Sequence, residues 1–168
     1  MTCNYFQQAA WLFQHVRDNY SGLDLTSDLN EDILTFKYYV MLAQAQECVL
    51  EKSIQDKRTQ TTNAKVASQI ANFYKLALTN SDKDNFKNNV DPTISKEMKN
   101  VCLLKMNFYS SLANYFMSFA SVDQSKYGEA IGLIQQSEIK LQECLKIKLA
   151  TKDYHETLKY TIELIQLK

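Results

Sequence analysis

The sequence predicts an all-α protein, an antiparallel helical solenoid of about six helices, and three observations predict it. Only three glycines (Gly22, Gly128, Gly132) and one proline (Pro92) occur in 168 residues, whereas sheet-rich domains need many tight turns built from those residues. Apolar residues recur at three- and four-residue spacing, the period of one helix face, through most of the chain. The periodic runs are long, and the short breaks between them imply antiparallel neighbours. With 45% apolar residues, a chain of this length makes one domain, or a piece of a larger one, with a core of its own; disorder is excluded as its overall state.

The first helix is expected over residues 3–20, where Phe6, Ala9, Ala10, Phe13 and Val16 line one face. It starts almost at Met1 without a capping residue, as expected if the chain opens partway into an element. After a turn at Ser21-Gly22, Asn30 is placed to cap a second helix, with Glu31 and Asp32 in the first turn, where carboxylates favour the helix dipole. That helix should run to about Asp56. Its apolar residues, from Val40 through Ile54, cover more than half the circumference, so it is expected to be central and packed on several sides.

A third helix is expected over 62–79, through Val66, Ala67, Ile70, Tyr74, Ala77 and Leu78, and a polar loop over Asn80–Asp91. Asp91-Pro92-Thr93 is a helix start, because proline at the first helical position loses no needed hydrogen bond. The fourth helix should then reach about Ala120, the fifth should span Lys126–Ala150, and the sixth Asp153–Leu167 with a stripe of Tyr154, Leu158, Ile162 and Ile165. Residues 112–134 carry Leu112-Ala113-Asn114-Tyr115 on one helix and Lys126-Tyr127-Gly128-Glu129-Ala130-Ile131 opening the next. This pattern resembles a tetratricopeptide unit, in which alanines and glycine allow close helix crossing and the tyrosine fills the gap. No regular 34-residue period of the kind found in such repeats continues elsewhere.

Nineteen basic and nineteen acidic side chains cancel, so overall charge recruits neither nucleic acid nor anionic lipid. The distribution is uneven, with a net charge of −4 over residues 1–34 and +4 on the remainder. Cys3, Cys48, Cys102 and Cys144 sit in apolar helical contexts without a C-x-x-C pair, and read as reduced, mostly buried thiols of a cytosolic protein. No stretch is apolar enough for a membrane span. Glycines are too sparse for a phosphate-cradling loop, and His15 and His155 are too few for a local zinc site. Asp82-Lys83-Asp84 reads as a solvated loop rather than a cation site. A nucleophilic Cys–His pair is a spatial matter, but thiols among core residues resist ionisation. Neither cofactor nor metal is expected, and no enzymatic activity.

What remains is helix surface. Val49 near the end of the second helix should adjoin Thr62 and Val66 near the start of the third. Periodicity alone reads these residues as ordinary core; the alternative is an exposed apolar strip suited to a partner helix laid in a groove.

The segment Met41-Leu42-Ala43-Gln44-Ala45-Gln46-Glu47-Cys48, continuing as Val49-Leu50-Glu51-Lys52-Ser53, resembles the most recognisable stretch of the Bro-one domain, the Alix family. Asp28-Leu29-Asn30, Ala64-Lys65-Val66-Ala67-Ser68-Gln69 and Phe73-Tyr74 extend the likeness in register, and Lys126-Tyr127-Gly128-Glu129 is similar to the family's Lys-Phe-Gly-Glu turn. Cys3, Phe6-Gln7, Ala9-Ala10, Phe13 and Arg17 look most like the branch of the His-domain protein tyrosine phosphatase.

The resemblance implies that residues 1–168 are the central helical part of such a domain, without its strand-containing N-terminal part or its C-terminal part. It also implies a non-catalytic module on the cytoplasmic side, recruited to endosomes, whose groove binds the C-terminal amphipathic helix of an ESCRT-III subunit of the CHMP/Snf class. By motif register the groove positions are Val49, Thr62 and Val66. Thr62 replaces the large aliphatic residue usual in the family, so one anchor pocket should be shallower. The family's further lysine and acidic contributors would lie ahead of Met1. The other expectation is a helical scaffold fragment with no binding of its own, and cut apolar edges would favour self-association.

Overall fold

A computed structural model describes residues 2–20, 26 and 29–148. These contain six helices and no strand: α1 (Thr2–Asn19), α2 (Glu31–Gln55), α3 (Gln60–Ser81), α4 (Asp84–Asn89), α5 (Pro92–Asp123) and α6 (Tyr127–Leu145). The expected helix over 153–167 and the turn at Ser21-Gly22 lie outside the described residues.

Local chemistry sets the helix starts. The Asn30 side chain accepts a hydrogen bond from the Asp32 amide at 3.0 Å, and the Asp91 carboxylate accepts from the Thr93 and Ile94 amides at 2.8 and 3.2 Å ahead of Pro92. Thr59 caps α3 by accepting from the Thr62 amide at 3.2 Å.

Two of the helix ends close in the same way. After α2, Lys57 adopts a φ of 53° and its amide donates to the Ile54 carbonyl at 3.0 Å, while the Arg58 amide donates to the Ser53 carbonyl at 3.0 Å. After α5, Ser125 has a φ of 61°, its amide donates to Val122 at 2.8 Å, and the Lys126 amide donates to Ser121 at 2.9 Å. Both are Schellman closures, the motif that usually places glycine in the left-handed position. Here Lys57 and Ser125 fill it, which lets so glycine-poor a chain turn sharply.

Each long helix packs on the next, in the order α1, α2, α3, α5, α6, and the contacts show that neighbours are antiparallel. Cys3 on α1 donates to the Ala45 carbonyl of α2 at 3.5 Å, whereas Arg17 at the far end of α1 reaches Thr35 near the start of α2 at 3.4 Å. Between α5 and α6, the Cys144 thiol donates to the Leu104 carbonyl at 3.5 Å and the Ser111 and Ser137 hydroxyls meet at 2.7 Å. The main core joins Ile33, Phe36, Ala43 and Leu50 of α2 to Ala67, Ile70, Tyr74 and Ala77 of α3. Alanine at 43, 67 and 77, each wholly buried, lets the two backbones approach.

Three expectations are corrected. The polar loop expected over 80–91 holds α4, whose single apolar ring, Phe86, is fully buried with its centroid 5.1 Å from that of Phe36. A lone anchor among polar residues leaves no periodic trace. Second, α6 ends at Leu145 rather than near Ala150, and Asn100 of α5 donates to the Lys148 carbonyl at 3.0 Å beyond it. Third, Gly128 permits no close helix approach, since a methyl group there would meet open space. The α5–α6 crossing instead rests on the buried Ser111 and Ser137, whose hydroxyls meet, while Tyr115 packs against Leu141 as the tyrosine of the helix pair was expected to.

Removing the Phe86 ring should therefore unseat α4. Phe86→Ala is expected to lower unfolding free energy by about 3–5 kcal/mol in urea titrations, the usual cost of an aromatic core truncation, whereas Asn88→Ala on the exposed side of α4 should change it by less than about 0.5 kcal/mol.

Candidate functional site

Val49 lies in the last two turns of α2, and Thr62 and Val66 lie in the first two turns of α3, on either side of the α2–α3 junction. The Ser53 hydroxyl donates to the Asn63 side chain at 2.6 Å, both residues buried, which pins the last turns of α2 to the first turns of α3. Val49 lies one turn before Ser53 and Val66 about one turn after Asn63, so antiparallel packing sets them level. Their exposure decides between core and strip. Val49 is 37% exposed and Thr62 is exposed, while Val66 is half-buried with one side against the main core. Val49 and Thr62 thus reach solvent, and Val66 does so in part.

Thr62 has a local reason to be there. It stands in the first turn of α3, and its hydroxyl pairs with that of the capping Thr59 at 2.8 Å. An aliphatic side chain would fill more of the strip but lose that pairing. The contact of Cys3 with Ala45 brings the first turns of α1 alongside this part of α2, so α2 forms a floor between α1 and α3.

Behind the strip is a polar cluster that sequence reasoning missed. The Tyr74 hydroxyl of α3 donates to Glu47 Oε1 of α2 at 2.6 Å, and Lys105 Nζ of α5 lies 3.0 Å from both Glu47 oxygens. Lys105 also sits 5.5 Å from the centroid of the Tyr74 ring, on which Tyr109 stacks at 6.4 Å. Burial, with the Glu47 carboxylate next in weight, holds the Tyr74 hydroxyl well above its ordinary value, so it stays a donor. The partners lie 27 and 58 positions from Glu47, beyond any local motif.

Three of the four thiols are held in the protonated form. Burial pushes the Cys102 and Cys144 thiols up to about 12 and raises Cys48 as well, which favours the unreactive thiol form. His15 is exposed, stacked on Trp11 at 4.9 Å, with Asn19 Nδ2 3.0 Å from its Nδ1. His155 lies outside the described residues. Among the described residues no three His, Cys, Asp or Glu side chains are grouped to hold a metal ion, and no helix is long and apolar enough to cross a membrane.

An antiparallel run of helices with an open apolar strip defines the class, an all-helical solenoid domain. The family model of the BRO1-like domain matches residues 1–168, and the chain belongs to that family. It is 30% identical over 169 residues to human tyrosine-protein phosphatase non-receptor type 23, an alignment covering 98% of this chain and 10% of that protein. It is 33% identical over 143 residues to vacuolar protein-sorting protein BRO1 of Gibberella zeae, covering 84% of this chain and 14% of the relative. The chain thus spans a small part of the curated relatives it matches. A solved ALIX BRO1–CHMP4C complex superposes with a TM-score of 0.77 at 24% identity, over 98% of this chain and 46% of that one, so the fold is shared. ALIX in complex with the SIVmac239 PYKEVTEDL late domain gives the same TM-score of 0.77 at 23% identity, over 98% of this chain and 23% of that one.

Two outcomes follow from these contacts. Glu47→Ala leaves Lys105 without its partner and the Tyr74 hydroxyl without its acceptor, in side chains only 17–21% exposed for the ion pair. It should cost about 2–3 kcal/mol in chemical denaturation, with Lys105→Met milder because the carboxylate keeps Tyr74. The buried thiols set an alkaline limit. Their folded values of about 12 lie above the ordinary 9.0, so their contribution is complete below pH 9 and is lost as pH rises from 9 towards 12. Urea midpoints at pH 8 and pH 10 should show the loss, up to about 1.4 kcal/mol per thiol per pH unit, and a Cys102→Ser/Cys144→Ser variant should lose less between the same two pH values.

Proposed function

We propose that this chain is a non-catalytic interaction module that binds the C-terminal amphipathic helix of an ESCRT-III subunit of the CHMP/Snf class. Its place would be endosomal sorting, on the cytoplasmic face of endosomes. One observation carries the reading: Val49 and Val66, set level by the antiparallel packing of α2 on α3, both keep apolar surface open to solvent, and together would form one strip. Such a strip suits the apolar face of an amphipathic helix, whose anchors recur at three- and four-residue spacing.

Family membership supports it, as does the fold shared with a domain solved as an ALIX BRO1–CHMP4C complex. The vacuolar sorting named in the Gibberella zeae relative agrees with that setting. Thr62 makes one end of the strip polar and shallow, so binding should be weaker than a fully aliphatic strip would give.

A fluorescent C-terminal helix peptide from a CHMP-type subunit, titrated with the chain, should bind saturably. Val66→Asp should abolish binding with the circular dichroism spectrum unchanged, and Thr62→Leu should tighten it about tenfold, or about 1.4 kcal/mol. Binding that survives Val66→Asp would place the groove elsewhere; no binding by the folded chain would leave it a helical scaffold.

A further inference from the structure

A second groove lies on the other flank of α3, away from Val49 and Val66. Two clefts, of about 450 and 360 Å³, adjoin there and share Ser68. The α3 wall presents Lys65, Ser68, Asn72 and Lys75, and α6 contributes Leu133 and Lys140 opposite. Between them, α5 supplies a floor of Met106, Ser110, Asn114 and Met117.

Three properties select an occupant. The two linings hold three lysines and no carboxylate, so the groove favours negative charge although the whole chain is neutral. Lys65 and Lys75 are exposed and have no ion-pair partner among the described residues, whereas Lys140 is held by Glu143 at 2.9 Å. Second, the groove surface is rich in amides and hydroxyls, at Ser68, Asn72, Ser110 and Asn114. A helix arrives with its backbone groups already paired, whereas an extended peptide brings free N–H and C=O groups that such side chains can satisfy. Third, the two methionines of the floor are adaptable apolar surface, which tolerates varied side chains above it.

We infer that this groove is a docking site for an extended acidic peptide segment. Lys65 and Lys75 are ten positions apart, about 15 Å along a helix, which an extended strand covers with about five residues. The acidic side chains would pair with Lys65 and Lys75 while the peptide backbone meets the amides and hydroxyls between them. The site is independent of the α2–α3 strip and does not rest on the function proposed for it.

Fluorescein-labelled hexaglutamate tests this on the full chain, with hexaglutamine as the neutral control. The expected result is saturable binding of hexaglutamate alone, weakened at least tenfold by Lys65→Glu/Lys75→Glu and by Ser68→Trp, and unchanged by Val66→Asp. The lysine reversals are at exposed positions, and circular dichroism confirms the fold of each variant. Loss on lysine reversal with full binding retained in Ser68→Trp would mean diffuse surface charge and overturn the groove. Absence of binding, or binding that survives the lysine reversal, overturns it too. Capture by phosphatidylserine vesicles without peptide binding would make the basic face a membrane surface, and the inference false.

Discussion

The carboxylate of Glu47 holds three helices in place at once. It takes the Tyr74 hydroxyl from α3 at 2.6 Å and the Lys105 ammonium from α5 at 3.0 Å, so α2, α3 and α5 meet at one partly buried polar point. Such a cluster gains little over an apolar filling in net stability, but each member left alone is costly. That asymmetry makes it a specifier of register. Sliding α3 by one turn along α2 would separate Tyr74 from Glu47 and also break the bond between Ser53 and Asn63 at the other end of the pair. The same two constraints set Val49 level with Val66. The geometry of the strip is therefore a consequence of polar pairings behind and beside it, not of the apolar residues that form it.

Packing between the helices follows a complementary rule. Where backbones come close, the chain uses alanine and serine, and Ser137 places its hydroxyl on the Ser111 carbonyl of the neighbouring helix at 3.0 Å. Successive helices then stack with shallow depressions between alternate ones. One such depression, between α3 and α6, is the lysine-rimmed groove over α5. The α2–α3 junction and this groove carry different side chains, and the difference in chemistry separates the partners each would select.

What could be read from the sequence was local. Asn30 and Asp91 announce their helices because a capping side chain acts within three residues, and the long apolar periods of α2, α3 and α5 mark their faces directly. Phe86 did not, because one buried ring in a polar segment has no period. The turns at Lys57 and Ser125 escaped for a related reason, since the residue that usually signals them is absent. The exposure of Val49, Thr62 and Val66 was not legible: whether an apolar residue on a helix faces core or solvent depends on where the neighbouring helix lies. Glu47, Tyr74 and Lys105 are ordinary residues in sequence, and only the folded chain brings them together.

The central claim is that the partner helix lies on the α2–α3 strip, and amide chemical-shift mapping tests it most directly. An isotope-labelled chain would be titrated with an unlabelled C-terminal helix peptide from a CHMP-type ESCRT-III subunit. The predicted result is a set of saturable shifts centred on Val49, Thr62 and Val66, with α6 unperturbed. A well-dispersed spectrum in which the shifts cluster elsewhere, or in which none occur, would contradict the claim.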